Sequence, residues 1–122
     1  YLKEDRGYSN LGNDKNAVLK MGTAKASSRI TYSYVKTVNN KDYYYFKLNN
    51  KFLNGSSNVV WKSSNTGKLL RMDENGGRYK IITMDEKVIC FNGDENRNKY
   101  FNLKYISSPK DSEICYFNFN KI

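Results

Sequence analysis

Histidine is absent from these 122 residues. That absence removes Ser-His-Asp and Cys-His nucleophile pairs, His-ligated zinc and histidine-based ribonuclease chemistry. Two cysteines, Cys90 and Cys115, are too few and too far apart for a thiolate zinc site. The single proline argues against a proline-rich linker. No glycine-rich loop has P-loop or dinucleotide-binding spacing. Asp73-Glu74 and Asp94-Glu95 are acidic pairs in polar turns, where carboxylates are usually solvated rather than catalytic. No apolar run approaches the roughly 18 residues a membrane-spanning helix needs, and there is no signal-peptide apolar core. No window of about 12 residues carries a capped helical stripe. The expectation is a protein that is not an enzyme, with no cofactor, no metal and no membrane span.

What is present is tyrosine, asparagine and positive charge. Eleven tyrosines suit half-buried positions, ring packed and hydroxyl wet. The 17 asparagines fall largely where turns are expected. A net charge of +9 serves solubility, or draws a polyanion such as nucleic acid, sulfated sugar or an anionic cell surface. The basic residues are scattered, so none forms a basic tail. Cys90 and Cys115 lie in two late β-rich runs and can form one disulfide or stand as two buried thiols. A chain opening at Tyr1 sets the expectation of a processed or trimmed product, either a secreted, extracellular protein or an excised domain. Asn54-Gly55-Ser56 is a glycosylation sequon for a eukaryotic secretory route.

The pattern along the chain is all-β, in one domain over residues 1–122. Residues 1–15 are polar and read as a loose lead-in, before a short strand over Ala17–Met21. From Arg29 to Lys36 the chain alternates, with Ile30, Tyr32 and Tyr34 on one face. Asn39–Asp42 predicts a turn, Tyr43–Leu48 a strand, Asn49-Asn50 a turn and Lys51–Leu53 a strand. Asn54-Gly55, Asn75-Gly76 and Asn92-Gly93 fit type I′ hairpin turns. Further strands follow at Val59–Lys62, Lys68–Met72, Arg78–Met84, Lys87–Phe91, Lys99–Ile106 and Ile114–Phe119. About ten short strands broken by turn signals predict a small barrel or sandwich.

One pattern occurs twice, from Tyr44 to Gly55 and from Tyr79 to Gly93, with a weaker copy from Tyr8 to Gly22. Its closing glycines, Gly22, Gly55 and Gly93, lie 33 and 38 positions apart. A shorter beat, Lys51, Lys68 and Lys87, marks single hairpins. Three units of roughly 35–40 residues, about four strands each, resemble a β-trefoil. The segment Val59–Gly76 strengthens the likeness. It resembles the hairpin of fibroblast growth factors and ricin-type lectins: an apolar strand, a Ser/Thr-rich turn with Thr66-Gly67, a leucine-bearing strand, then an acidic Asn75-Gly76 turn. The Gln-x-Trp signature of ricin-type lectins is missing here. The resemblance implies a trefoil-like barrel; another small barrel or a sandwich is the alternative.

Candidate binding residues follow. Tyr43, Tyr44 and Tyr45 cannot all face inward, because a strand alternates sides. Tyr43 and Tyr45 are therefore candidate recognition rings. Trp61, with Lys62 and Asn65 beside it, is either core or an exposed platform for a sugar or protein. After Gly93 the densest basic group is Arg97, Lys99, Lys104 and Lys110. Those positions resemble the polyanion region in the last unit of heparin-binding growth factors. The expected function is a secreted, non-enzymatic binding protein. Its partner is a glycan, a sulfated polysaccharide or a cell-surface protein, with basic charge aiding capture. The alternatives are a cytokine-like ligand, inhibitor or toxin acting on a host protein, and a nucleic-acid binder or His-independent ribonuclease. The ribonuclease would cluster Glu95, Arg97, Lys99 and Tyr100; nucleic acid would stack on Tyr100 and Tyr105.

Overall fold

The computed structural model describes residues 2–4, 7–10, 18–21, 30–48, 50–76, 78–92, 100–110 and 113–119. Those residues form 14 strands and no helix. β1 (Leu2–Glu4), β2 (Gly7–Asn10) and β3 (Val18–Met21) come first. β4 (Thr31–Val38), β5 (Lys41–Leu48), β6 (Lys51–Asn54) and β7 (Val60–Lys62) follow. Then come β8 (Leu70–Asn75), β9 (Arg78–Thr83) and β10 (Val88–Asn92). The last four are β11 (Tyr100–Asn102), β12 (Lys104–Ile106), β13 (Glu113–Ile114) and β14 (Asn118–Phe119).

Two antiparallel sheets result. One has the order β11-β3-β2-β1-β14, so early strands are joined to late ones. The other is a curled half-barrel, β12-β10-β9-β8-β5-β6-β7, with β13 on β10 and β4 on β5. Its two ends are tied by backbone: Asn58 bridges Lys104, Val59 N–H donates to the Leu103 carbonyl at 3.0 Å, and Tyr105 N–H donates to the Ser57 carbonyl at 2.9 Å. That contact curls the sheet around its apolar contents.

The pleat sorts side chains to two faces. Phe46, Leu48, Leu53, Val59, Trp61, Leu70, Ile81, Ile89 and Phe91 share one buried cluster on the inner face with Leu103, Tyr105 and Phe117. Ile82, Val88, Cys90 and Cys115 form a second, smaller cluster on the outer face, with Ile106 against it. Two-sided burial explains why β9 and β10 read as near-continuous apolar runs instead of alternating.

Several expectations are corrected. The lead-in is not loose throughout, since β1 and β2 lie within it and pair with each other. Asn54-Gly55 is not a two-residue hairpin turn. Asn54 remains in β6, paired with Val60, and a longer connection carries Gly55 at φ 105°. The two-residue turn with both centres left-handed is Asn39-Asn40, at φ 52° and 64°, between paired Val38 and Lys41. Lys99–Ile106 is not one strand but two, parted at Leu103, whose side chain is buried.

Candidate functional site

β4 lies on one edge of β5 and pairs along its whole length. Tyr32 stands opposite Phe46, and Tyr34 opposite Tyr44. Directly opposed residues point the same way, and Phe46 is fully buried in the core. Both tyrosines therefore extend the inner face, yet they are 56% and 58% exposed. They are the face's uncovered end.

Tyr44 sits between them as a half-buried keel. Its ring is edge-on to Tyr32 at 5.5 Å and 87°, and to Tyr34 at 6.1 Å and 77°. Tyr32 also lies 6.2 Å from the Phe46 ring. Such perpendicular contacts are the favoured aromatic geometry, worth about 0.5–1.5 kcal/mol per pair. They fix two exposed rings on a buried base. At the outer end Tyr34 Oη lies 2.7 Å from Thr37 Oγ1, which donates to Asp42 at 2.5 Å.

The same face continues across β8 and β9. Tyr44 pairs with Leu70, Met72 with Ile81 and Glu74 with Tyr79. Met72 and Tyr44 pack on the core from the side. Tyr79 Oη donates to Glu74 Oε2 at 3.2 Å, and that bond, with the nearby negative charge, holds the phenol above its ordinary range. The uncovered end of the inner face is thus a tyrosine surface with one carboxylate at its margin. Preset rings of this kind can stack on the C–H face of a sugar or on an apolar protein side chain, while hydroxyls and Glu74 hydrogen-bond to polar groups.

The outer face holds an ion-pair network. Arg71 is 5% exposed. Its Nη1 and Nη2 donate to the two Glu86 oxygens at 2.8 and 2.7 Å, and Nε reaches Asp73 at 3.2 Å. The Glu86 contacts, with the Asp73 charge, push the guanidinium above its usual range, while the Arg71 hydrogen bond lowers Glu86. Thr83 bonds Asp85 and lowers that carboxyl in turn. This network clamps the β9–β10 turn, where Glu86 is left-handed at φ 64°.

The residues expected from sequence fare differently. Tyr43 is not a free recognition ring. It is 4% exposed and turned to the outer face, with Arg71 Nη1 3.5 Å from its hydroxyl. The register shift between Tyr34 and Lys36 lies beside it. Tyr45 is half-buried, its ring edge-on to Phe52 at 5.6 Å. Trp61 is not an exposed platform. At 2% exposure it lies in the core opposite Leu53, and its Nε1 finds no hydrogen-bond partner among the described residues. Lys62 and Asn65 are exposed beside it but lack the aromatic platform they were expected to flank. Lys104 and Lys110 are exposed; Arg97 and Lys99 lie outside the described residues. So do Asp94 and Glu95, while Tyr105 is buried and its hydroxyl donates to the Asn54 carbonyl at 2.9 Å. That interior position leaves Tyr105 no ring face for a base. Cys90 and Cys115 are joined by a disulfide. Asn54 of the sequon gives its side-chain amide to the Thr66 carbonyl at 2.9 Å. Sequence reasoning passed over Tyr32, Tyr34 and Glu74 as site residues. The alternation of Ile30, Tyr32 and Tyr34 was the available signal.

Among the described residues no group of histidine, cysteine, aspartate and glutamate side chains is arranged to hold a metal ion. No family model, curated protein or solved structure matches this chain.

Proposed function

We propose that this chain is a secreted, non-enzymatic binding module that recognises a cell-surface glycan through the Tyr32–Tyr34–Tyr44 surface, with its basic charge assisting capture. The observation that carries the reading is the exposure of Tyr32 and Tyr34, at 56% and 58%, on a face where Phe46, Trp61, Phe91, Tyr105 and Phe117 are core. Rings so exposed on an ordered base are available to a partner. A net charge of +9 favours approach to an anionic surface. The disulfide is compatible with an oxidising compartment. The curled sheet with tied ends is compatible with a β-trefoil-like barrel. Three-fold symmetry would make units ending near Gly22, Gly55 and Gly93 superpose on rotation through a third of a turn, and failure to superpose would exclude a trefoil.

A second reading, a ligand or inhibitor of a cell-surface protein, is favoured by the outer edge of β4, which bears no strand among the described residues. A partner strand could add there. The two readings part on one comparison. Glycan array binding should fall at least tenfold in a Tyr32→Ser/Tyr34→Ser variant that thermal unfolding shows to be folded at the assay temperature. Binding to cells that survives enzymatic glycan removal would favour the protein partner.

A further inference from the structure

Hydrogen bonding at the Tyr34 end of the tyrosine surface runs in one direction. Thr37 and Asp42 are directly opposed across β4 and β5, and both are exposed. Thr37 has one hydroxyl hydrogen and gives it to Asp42 Oδ1 at 2.5 Å. The 2.7 Å contact between Tyr34 Oη and Thr37 Oγ1 must then run from tyrosine to threonine. This relay, from Tyr34 through Thr37 to the Asp42 carboxylate, uses both hydroxyl hydrogens inside the protein. What it offers outward is acceptors: lone pairs on Tyr34 Oη and Thr37 Oγ1, and the carboxylate oxygens.

The pleat keeps positive charge off this end. Lys36 is opposite Tyr43, which is turned to the outer face toward Arg71. Lys41 and Asp42 are neighbours on β5 and so point to opposite faces. Lys47 is turned outward as well, its ammonium 5.4 Å from the Phe52 ring centre. Asp42 forms no ion pair with a cation of the described residues. A sulfated or sialylated sugar would thus set its own negative charge against Asp42 with no cation to offset it. A cationic ligand is opposed by the net charge of +9 on the whole chain. The chemistry left is uncharged and rich in hydroxyl donors, and a carboxylate can accept from two adjacent hydroxyls.

We infer that the tyrosine surface takes a neutral sugar, with its C–H face on the Tyr32 and Tyr34 rings and two adjacent hydroxyls donating to Asp42. Thr37 is a positioning residue that orients the carboxylate. This specificity rests on the glycan reading above and narrows it to uncharged sugars.

The test is affinity for one neutral oligosaccharide and for its sulfated, sialylated and amino-substituted forms, at fixed salt. The intact protein should bind the neutral form at least tenfold tighter than each of the others. Asp42→Asn, which keeps the shape but turns one acceptor into a donor, should lose at least tenfold on the neutral form and narrow its lead over the sulfated one. Thr37→Val should lose less, with the same narrowing. Lys36→Gln, on the opposite face, should lose less than threefold. Thermal unfolding confirms that each variant is folded at the assay temperature. Charged forms binding as tightly as the neutral one, or an unchanged preference in Asp42→Asn, would overturn this specificity. If Tyr32→Ser/Tyr34→Ser still abolished binding in that case, the glycan reading itself would stand. Failure of the intact protein to bind any of the four forms would overturn both.

Discussion

Arg71 and Tyr34 show how single residues are assigned to stability or to recognition. Arg71 is buried and its donors are met by Glu86 and Asp73, so it serves the fold. The Glu86 carboxyl is lowered from 4.5 by its hydrogen bond to Arg71. A depressed folded value stabilises above the unfolded one and loses that contribution as pH falls through the folded value. Denaturant midpoints should therefore drop as acid is added below about pH 4.5. In Glu86→Gln the slope of that drop should be shallower, which urea titrations across the acid range would check. An unchanged slope would remove Glu86 from the acid limb. Tyr32 and Tyr34 are the opposite case. Replacing both with serine removes two edge-on contacts of about 0.5–1.5 kcal/mol each, so stability should fall by about 1–3 kcal/mol, measured by thermal unfolding, while surface binding is lost.

At the scale of elements, turns decide geometry. Gly55 sits at φ 105°, and a Cβ there would lie 2.1 Å from the Asn58 carbonyl oxygen. That carbonyl belongs to the segment that ties β7 to β12. Gly76, at φ 63°, has nothing within 4 Å of such a Cβ. Gly76→Ala should cost about 1 kcal/mol, the left-handed penalty alone. Gly55→Ala should cost clearly more, because the backbone must move as well. Chemical denaturation of the two variants gives the comparison, and equal costs would contradict the close approach. Much of this level was legible beforehand. Alternation over Arg29–Lys36 marked β4, and Asn39–Asp42 marked its turn, of which Lys41 and Asp42 lie in β5. What alternation could not say is which face of β5 is the core. Both faces of this sheet are covered in part, so Tyr43 is buried against Arg71 while Tyr44 lines the inner face. Arg71 and Glu86 are 15 positions apart, and only the β8–β9 pairing and the turn after it bring them together. Trp61 was open to two readings because an apolar strand with polar flanks fits a core position and a platform equally well.

At the scale of the molecule, cohesion comes from the inner core, from the tie between Asn58 and Lys104, and from the disulfide. The Cys90–Cys115 bond spans 25 residues. A cross-link of that span restricts the unfolded chain, and its removal should cost about 2–4 kcal/mol. Urea unfolding with and without reductant would measure this. The next residue, Tyr116, lies against the Arg78 and Lys80 cations on the outer face. The tyrosine surface lies on the other side of the same sheet and does not depend on that bond directly. On the reading proposed here, the rings of that surface meet the partner and the net charge of +9 aids its approach. The most direct test of that account is array binding of the intact protein and of Tyr32→Ser/Tyr34→Ser, under conditions where both are shown to be folded. The account predicts selective glycan binding by the intact protein and at least a tenfold loss in the variant. Equal binding by both proteins, or none by the intact one, would contradict it.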